Sequence, residues 1–120
     1  LFLPLLKKAD GAVIVNVLSI FVYDVPPVGL AAYVAAKSAL GGLTRSMARE
    51  WAKYNIQVNS ISPAITRTAL SRGMDPAVVA EYGGMMEPAE VGEAIAGIVC
   101  DPAEYAPGTD IVLDGGGPAS

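Results

Sequence analysis

"GAVIVNVLS", Gly11 to Ser19, is a near-continuous run of β-branched and apolar residues that follows a turn signal at Asp10-Gly11. Such a run suits a strand covered on both faces, the form strands take in a parallel sheet. A parallel neighbour requires a crossover, so helix and then strand should follow. After a loop containing Asp24, Pro26, Pro27 and Gly29, the pattern is helical from Leu30 to Tyr54. Leu40, Leu43, Met47 and Trp51 form an apolar stripe at spacings of three and four, and Arg45, Arg49 and Lys53 share a solvated face. Gly41-Gly42 lies inside this helix, where each Gly costs about 1 kcal/mol relative to Ala. Either the close approach of another helix or a local kink would account for it.

"IQVNSIS", Ile56 to Ser62, alternates apolar and polar residues as a strand does, and Pro63 is expected to end it. A loop-rich stretch runs to Glu87, with a short helix near "DPAVVAEY". "EPAEVGEAIAGIVC" reads as a helix with Pro88 in its first turn and acids at its start, and a last strand is expected over Asp110 to Asp114 before a run of glycines. The alternation predicts an α/β fold: a parallel sheet of three strands with flanking helices and right-handed crossovers. No repeat or linker divides the 120 residues, so residues 1–120 form one unit.

Composition narrows the function. The chain is 52% hydrophobic and 17% charged, with a formal net charge of −4. Its one basic pair, Lys7-Lys8, is too small for a phosphate-neutralising surface, so nucleic acid is not an expected partner. The longest apolar stretch is broken by Asn16 and Ser19 and falls short of the ~20 residues of a membrane helix, so no membrane partner is expected. Lys7-Lys8 follow the first apolar residues instead of preceding them, unlike a signal peptide. Cys100 is the single cysteine, read as a small buried hydrophobe, and a reducing, cytoplasmic location is expected. The chain has no histidine, which removes Ser-His-Asp and Cys-His catalysis and most transition-metal sites; no metal is expected. Acid-base chemistry falls to Tyr, Lys, Asp or Glu.

"YVAAK", Tyr33 to Lys37, places a phenol and an ammonium four residues apart, on one helix face. A phenol ordinarily titrates near pH 10, and a neighbouring ammonium favours the phenolate. A Tyr tuned in this way can exchange a proton with a carbonyl or alcohol oxygen. Ser19 ends the first strand, and ligands of open α/β sheets collect at the carboxyl ends of strands. Its hydroxyl could bond the oxygen that Tyr33 protonates. Taken singly, the residues also fit a half-buried Tyr33, a solvated Lys37 and a loop-capping Ser19.

Together, "GAVIVNVLS", "AAYVAAKSALGGLTRSMAREWA", "IQVNSISPAITRT" and "GTDIVLDGG" resemble the C-terminal half of a classical short-chain dehydrogenase/reductase, in order and over nearly the whole chain. The resemblance implies the C-terminal part of a Rossmann-like doubly wound sheet. It also implies an oxidoreductase that moves a hydride between NAD or NADP and a small-molecule carbonyl or alcohol. In it, Ser19 would orient the substrate oxygen, Tyr33 would be the general acid-base, and Lys37 would lower the Tyr pKa and bind the nicotinamide ribose. "PAITRT" resembles the family's P-G-x-x-x-T segment. Pro63, Ala64, Thr66 and Thr68 would therefore line the cofactor, and Ile65 the substrate. A homo-oligomer, often a tetramer, is usual in such proteins.

Four departures accompany the likeness. Ala64 replaces the usual Gly, so the cofactor loop is expected to sit slightly differently. Ser19 and Tyr33 stand 14 residues apart, one more than in many members. No Asn precedes Ser19 except Asn16, which is on the strand and cannot serve the proton relay that many members place on the preceding helix. The glycine-rich dinucleotide turn of the N-terminal half is not in these residues. The opening "LFLPLLKK" reads as the end of a helix already under way, so a longer protein is expected. Without that half, the first strand would present an unpaired apolar edge. The alternative to an enzyme is a non-catalytic interaction or oligomerisation module, or an inactive fragment, of the same fold. No G-x-x-x-x-G-K-[ST] segment supports a phosphate-binding fold instead.

Overall fold

The computed structural model describes residues 2–114. Its sheet holds three parallel strands in the order β1 (Ala12–Val17), β2 (Ile56–Pro63) and β3 (Asp110–Leu113). The register runs from Ala12 opposite Ile56 to Val17 opposite Ile61, and from Ser60 opposite Asp110 to Pro63 opposite Leu113. Four helices flank it: α1 (Leu3–Ala9), α2 (Ala31–Trp51), α3 (Pro76–Glu81) and α4 (Pro88–Cys100). This is the expected α/β architecture. The glycines after Asp114 lie outside the described residues.

Ala12 and Ile14 of β1 and Ile56 and Val58 of β2 face α1 and α2, packing with Leu3, Leu6, Met47, Ala48 and Trp51. Odd-numbered β2 side chains turn the other way. There Gln57 and Asn59 reach the connection between α4 and β3: Gln57 Nε2 donates to the Pro102 and Tyr105 carbonyls at 2.7 and 3.0 Å, and Asn59 Nδ2 donates to the Ala106 carbonyl at 2.7 Å.

Several local expectations are corrected. β1 is only partly buried along its length, because its outer edge has no partner strand among the described residues. It is instead β2 that is sealed on both faces, polar residues included: Asn59 and Ser62 are wholly buried and Ser60 nearly so. Their alternation with apolar residues marks internal hydrogen bonding, with no solvent face. Pro63 ends the strand as expected, as its last residue and paired with Leu113. α2 stops at Trp51, and a 3₁₀ turn over Ala52–Tyr54 leads to Asn55 in the left-handed region (φ 57°).

The fully buried positions of α2 are Gly41, Thr44 and Ala48, one residue on from the expected apolar stripe, of which Met47 and Trp51 pack on the core while Leu43 is 51% exposed. Large side chains do not fit where the helix runs close to the strands. A Cβ on Gly41 would stand 3.4 Å from Cδ1 of Leu18, the residue just after β1, so among the described residues the neighbour closest to this glycine is a strand-end side chain. Cys100 is exposed, contrary to expectation, because α4 turns Ile98 inward and ends at Cys100. Among the described residues, no helix is long and apolar enough to cross a membrane.

Candidate active site

β1 delivers Val17, Leu18 and Ser19 to the carboxyl edge of the sheet, where the Leu18 amide donates to the Ile61 carbonyl at 2.7 Å and carries the pairing past the strand. Ser19 begins a 3₁₀ turn (Ile20–Val22), and its Oγ accepts the Phe21 N–H at 3.3 Å. The capping and site-lining readings of Ser19 are therefore compatible: the hydroxyl spends a lone pair on the cap and keeps its hydrogen.

α2 opens at Ala31 and brings Tyr33 and Lys37 to the same edge one turn apart. Lys37 Nζ donates to the Val17 carbonyl at 2.8 Å and stands 5.8 Å from the centre of the Tyr33 ring, within cation–π range. The Tyr33 hydroxyl has no hydrogen-bond partner among the described residues.

β2 contributes the third wall. The Ala64 amide donates to the Leu113 carbonyl at 2.7 Å, and Ala64 and Ile65 are buried. Among the described residues, only Asp10 and Asn55 are non-glycines at positive φ. Ala64 therefore lies outside the positive-φ region, in backbone that an alanine adopts without strain. Met86 pairs alongside: its amide donates to the Ile65 carbonyl at 2.8 Å, and its carbonyl accepts the Arg67 N–H at 2.9 Å. The Thr66 amide is left without a partner among the described residues.

All of these residues meet in one cavity of about 670 Å³. It is lined by Ser19, Tyr33 and Lys37, and by Pro63, Ala64, Ile65, Thr66 and Thr68, together with side chains from the loop after Ser19 and the α3 segment. Every site residue expected from the sequence lies on it. Asn16 is on β1, where its Nδ2 donates to Thr44 Oγ1 at 2.9 Å, and it does not line the cavity.

Three residues that shape the site carry no sequence expectation. Ser71, buried, accepts the Thr68 N–H at 2.9 Å and lies 2.7 Å from the Thr66 carbonyl, clasping the loop that follows β2. Its T-x-x-S spacing is a turn signal, but a common one. Phe21 and Tyr82 stack edge to face with ring centres 5.1 Å apart, and the Tyr82 hydroxyl donates to the Val25 carbonyl. This pair joins the α3 segment to the loop after Ser19. Burial raises the Tyr82 pKa above its ordinary value, with the Glu81 and Asp24 charges adding to it.

A second, smaller cavity of about 190 Å³ shares Lys37 and Leu18 with the first, and is lined also by Tyr23, Arg45, Ser60 and Asp110. The Asp110 carboxylate accepts three hydroxyls: Ser60 at 2.6 Å, Ser62 at 2.7 Å and Tyr23 at 2.6 Å. The bond to Asp110 pushes the Tyr23 pKa up to about 12.

Comparison with known proteins places this geometry. The family model described as Enoyl-(Acyl carrier protein) reductase matches residues 1–117. A 3alpha-hydroxysteroid dehydrogenase of Mediterraneibacter gnavus is 34% identical over 117 residues, covering 92% of this chain and 46% of the relative. Among solved structures, a 4-hydroxyisoleucine dehydrogenase complexed with NADH superposes with a TM-score of 0.78 at 34% identity, covering 94% of this chain and 50% of the other. A gluconate 5-dehydrogenase from Burkholderia cenocepacia, in complex with NADP and tartrate, superposes with a TM-score of 0.82 at 26% identity, covering 94% and 47%. The chain spans about half the length of the relatives it matches.

Proposed function

The chain belongs to the short-chain dehydrogenase/reductase family, and on that premise we propose that it carries the proton-transfer site of a nicotinamide-dependent oxidoreductase acting on a carbonyl or alcohol. The observation that carries the reading is the single cavity on which Ser19, Tyr33, Lys37 and the Pro63–Thr68 run converge. NAD or NADP is the proposed cofactor, supported by the NADH and NADP bound to solved relatives.

The residues present fit that group. The unpartnered Thr66 amide is a donor for the nicotinamide carboxamide, and the Lys37 ammonium has two N–H groups left for the ribose hydroxyls after its bond to Val17. When bound, the nicotinamide supplies or accepts the hydride. In the oxidation direction, Tyr33 in its phenolate form would take the proton of the substrate hydroxyl and become a neutral phenol, as the carbinol carbon gives up hydride to the nicotinamide and its C–O bond becomes C=O. In reduction, Tyr33 returns that proton to the substrate oxygen. Ser19 donates its free hydroxyl hydrogen to the same oxygen and fixes its position, and Ile65 bounds the substrate. In this reading, the hydrophobic lining keeps water from competing for the proton.

The experiment is a fluorescence titration with NADH and NADPH on the protein carrying this chain, followed by turnover on simple ketones. Saturable binding of one dinucleotide with ketone-dependent oxidation supports the reading. Absence of binding to both contradicts it.

A further inference from the structure

We propose that the site takes a neutral, apolar secondary alcohol or ketone, in preference to a hydroxy acid or a phosphorylated substrate; this rests on the oxidoreductase reading above. Among the described residues, the charged side chains that line the cavity are Lys37 and Asp75. Lys37 is held by the Val17 carbonyl and faces the ribose in the proposed mechanism. Asp75 caps α3, its Oδ1 accepting the Ala77 N–H at 2.8 Å, and its charge opposes an anion. Neither Arg67 nor Arg72 lines the cavity, and Arg67 Nε is paired with Glu87 Oε1 at 2.8 Å. An anionic substrate would therefore meet no unspent cation among the described residues, and burial of an unpaired charge is costly.

Part of the polar lining is spent: Thr66 Oγ1 is 3.0 Å from the Ala64 carbonyl, and the Ser71 hydroxyl is engaged within its own loop. Of the hydroxyls left open to a ligand, Ser19 and Tyr33 suit one substrate oxygen, and Thr68 belongs to the run assigned to the cofactor in the proposed mechanism. The remaining walls are hydrocarbon. Phe21, Pro27 and Val28 come from the loop after Ser19, and Leu70, Met74 and Val78 from the α3 segment. Val28 and Leu70 are 105% and 82% exposed, so apolar side chains stand uncovered at the mouth where the body of such a substrate would shield them.

The test uses a matched pair, 4-methylcyclohexanone and 4-oxocyclohexanecarboxylate, with the protein and dinucleotide. Binding is read by saturation-transfer NMR and turnover by nicotinamide absorbance. The methyl ketone is expected to bind at least about tenfold more tightly. Leu70→Arg, at an exposed position that tolerates substitution, is expected to narrow that preference by about tenfold or more. Carboxylate binding as tight as that of the methyl ketone overturns the proposal, as does failure of both to bind. Preferential binding of the methyl ketone without turnover of either compound supports the substrate class and overturns only the oxidoreductase reading.

Discussion

The Lys37 ammonium bonds the Val17 carbonyl at 2.8 Å, so the first turns of α2 are tied to the last residue of β1. Lys37 lines both cavities of the sheet edge. One contact therefore sets the distance between the strand that delivers Ser19 and the helix that delivers Tyr33.

Replacing Lys37 by Met removes that tie and the ribose donors together. Lys37→Met is expected to weaken dinucleotide binding by about tenfold or more, since hydrogen bonds to charged groups contribute about 1.5–3 kcal/mol. Equilibrium titration with NADH and NADPH measures it.

Tyr23 gives a pH-dependent prediction. Its protonated form donates to Asp110, and its pKa is raised from 10.0 to about 12. A raised folded-state pKa stabilises fully below the unfolded value and is lost as pH climbs through the folded one. The stability that Tyr23 adds is thus complete below about pH 10 and gone above about pH 12. Thermal unfolding of Tyr23→Phe beside the unsubstituted protein should show a difference in Tm that vanishes over this window.

Gly108 precedes β3 at φ +79°, and a Cβ there would lie 3.3 Å from Ala48 Cβ. Gly108→Ala is expected to destabilise by about 1–2 kcal/mol from backbone strain alone. Urea unfolding should show a lower midpoint with an unchanged slope.

Tyr82 fastens the α3 segment to the loop after Ser19 through its hydroxyl and its ring. Tyr82→Phe keeps the ring contact and loses the hydrogen bond. KM for the ketone is expected to rise roughly two- to tenfold. Steady-state kinetics checks it, with dinucleotide affinity as the unchanged reference.

The fold was legible where local periodicity carries it. β1, α2 and α4 follow from apolar runs and helical spacing, and the parallel sheet from the alternation of elements. What was hidden depends on partners distant in sequence. Nothing local in "IQVNSIS" reveals that Ser60 and Ser62 both bond Asp110, or that Asn59 bonds the Ala106 carbonyl, so a buried polar face reads as a wet one. The stripe of α2 was caught in part, with Met47 and Trp51 packed on the core, but Gly41, Thr44 and Ala48 were missed because small residues at the closest approach are invisible to a count of large apolar ones. The candidate site was legible from Ser19, Tyr33, Lys37 and "PAITRT", whose spacing carries the family resemblance. Ser71, Phe21 and Tyr82 shape its walls without any residue type or interval that singles them out.

The central claim is that Tyr33 moves the proton. The most direct measurement compares turnover and dinucleotide binding of Tyr33→Phe with those of the unsubstituted protein. Loss of the hydroxyl alone is expected to cut kcat by about 10²-fold or more, in line with removal of a general acid-base group, while NADH or NADPH affinity stays within a few-fold. Retention of kcat in Tyr33→Phe would contradict the account.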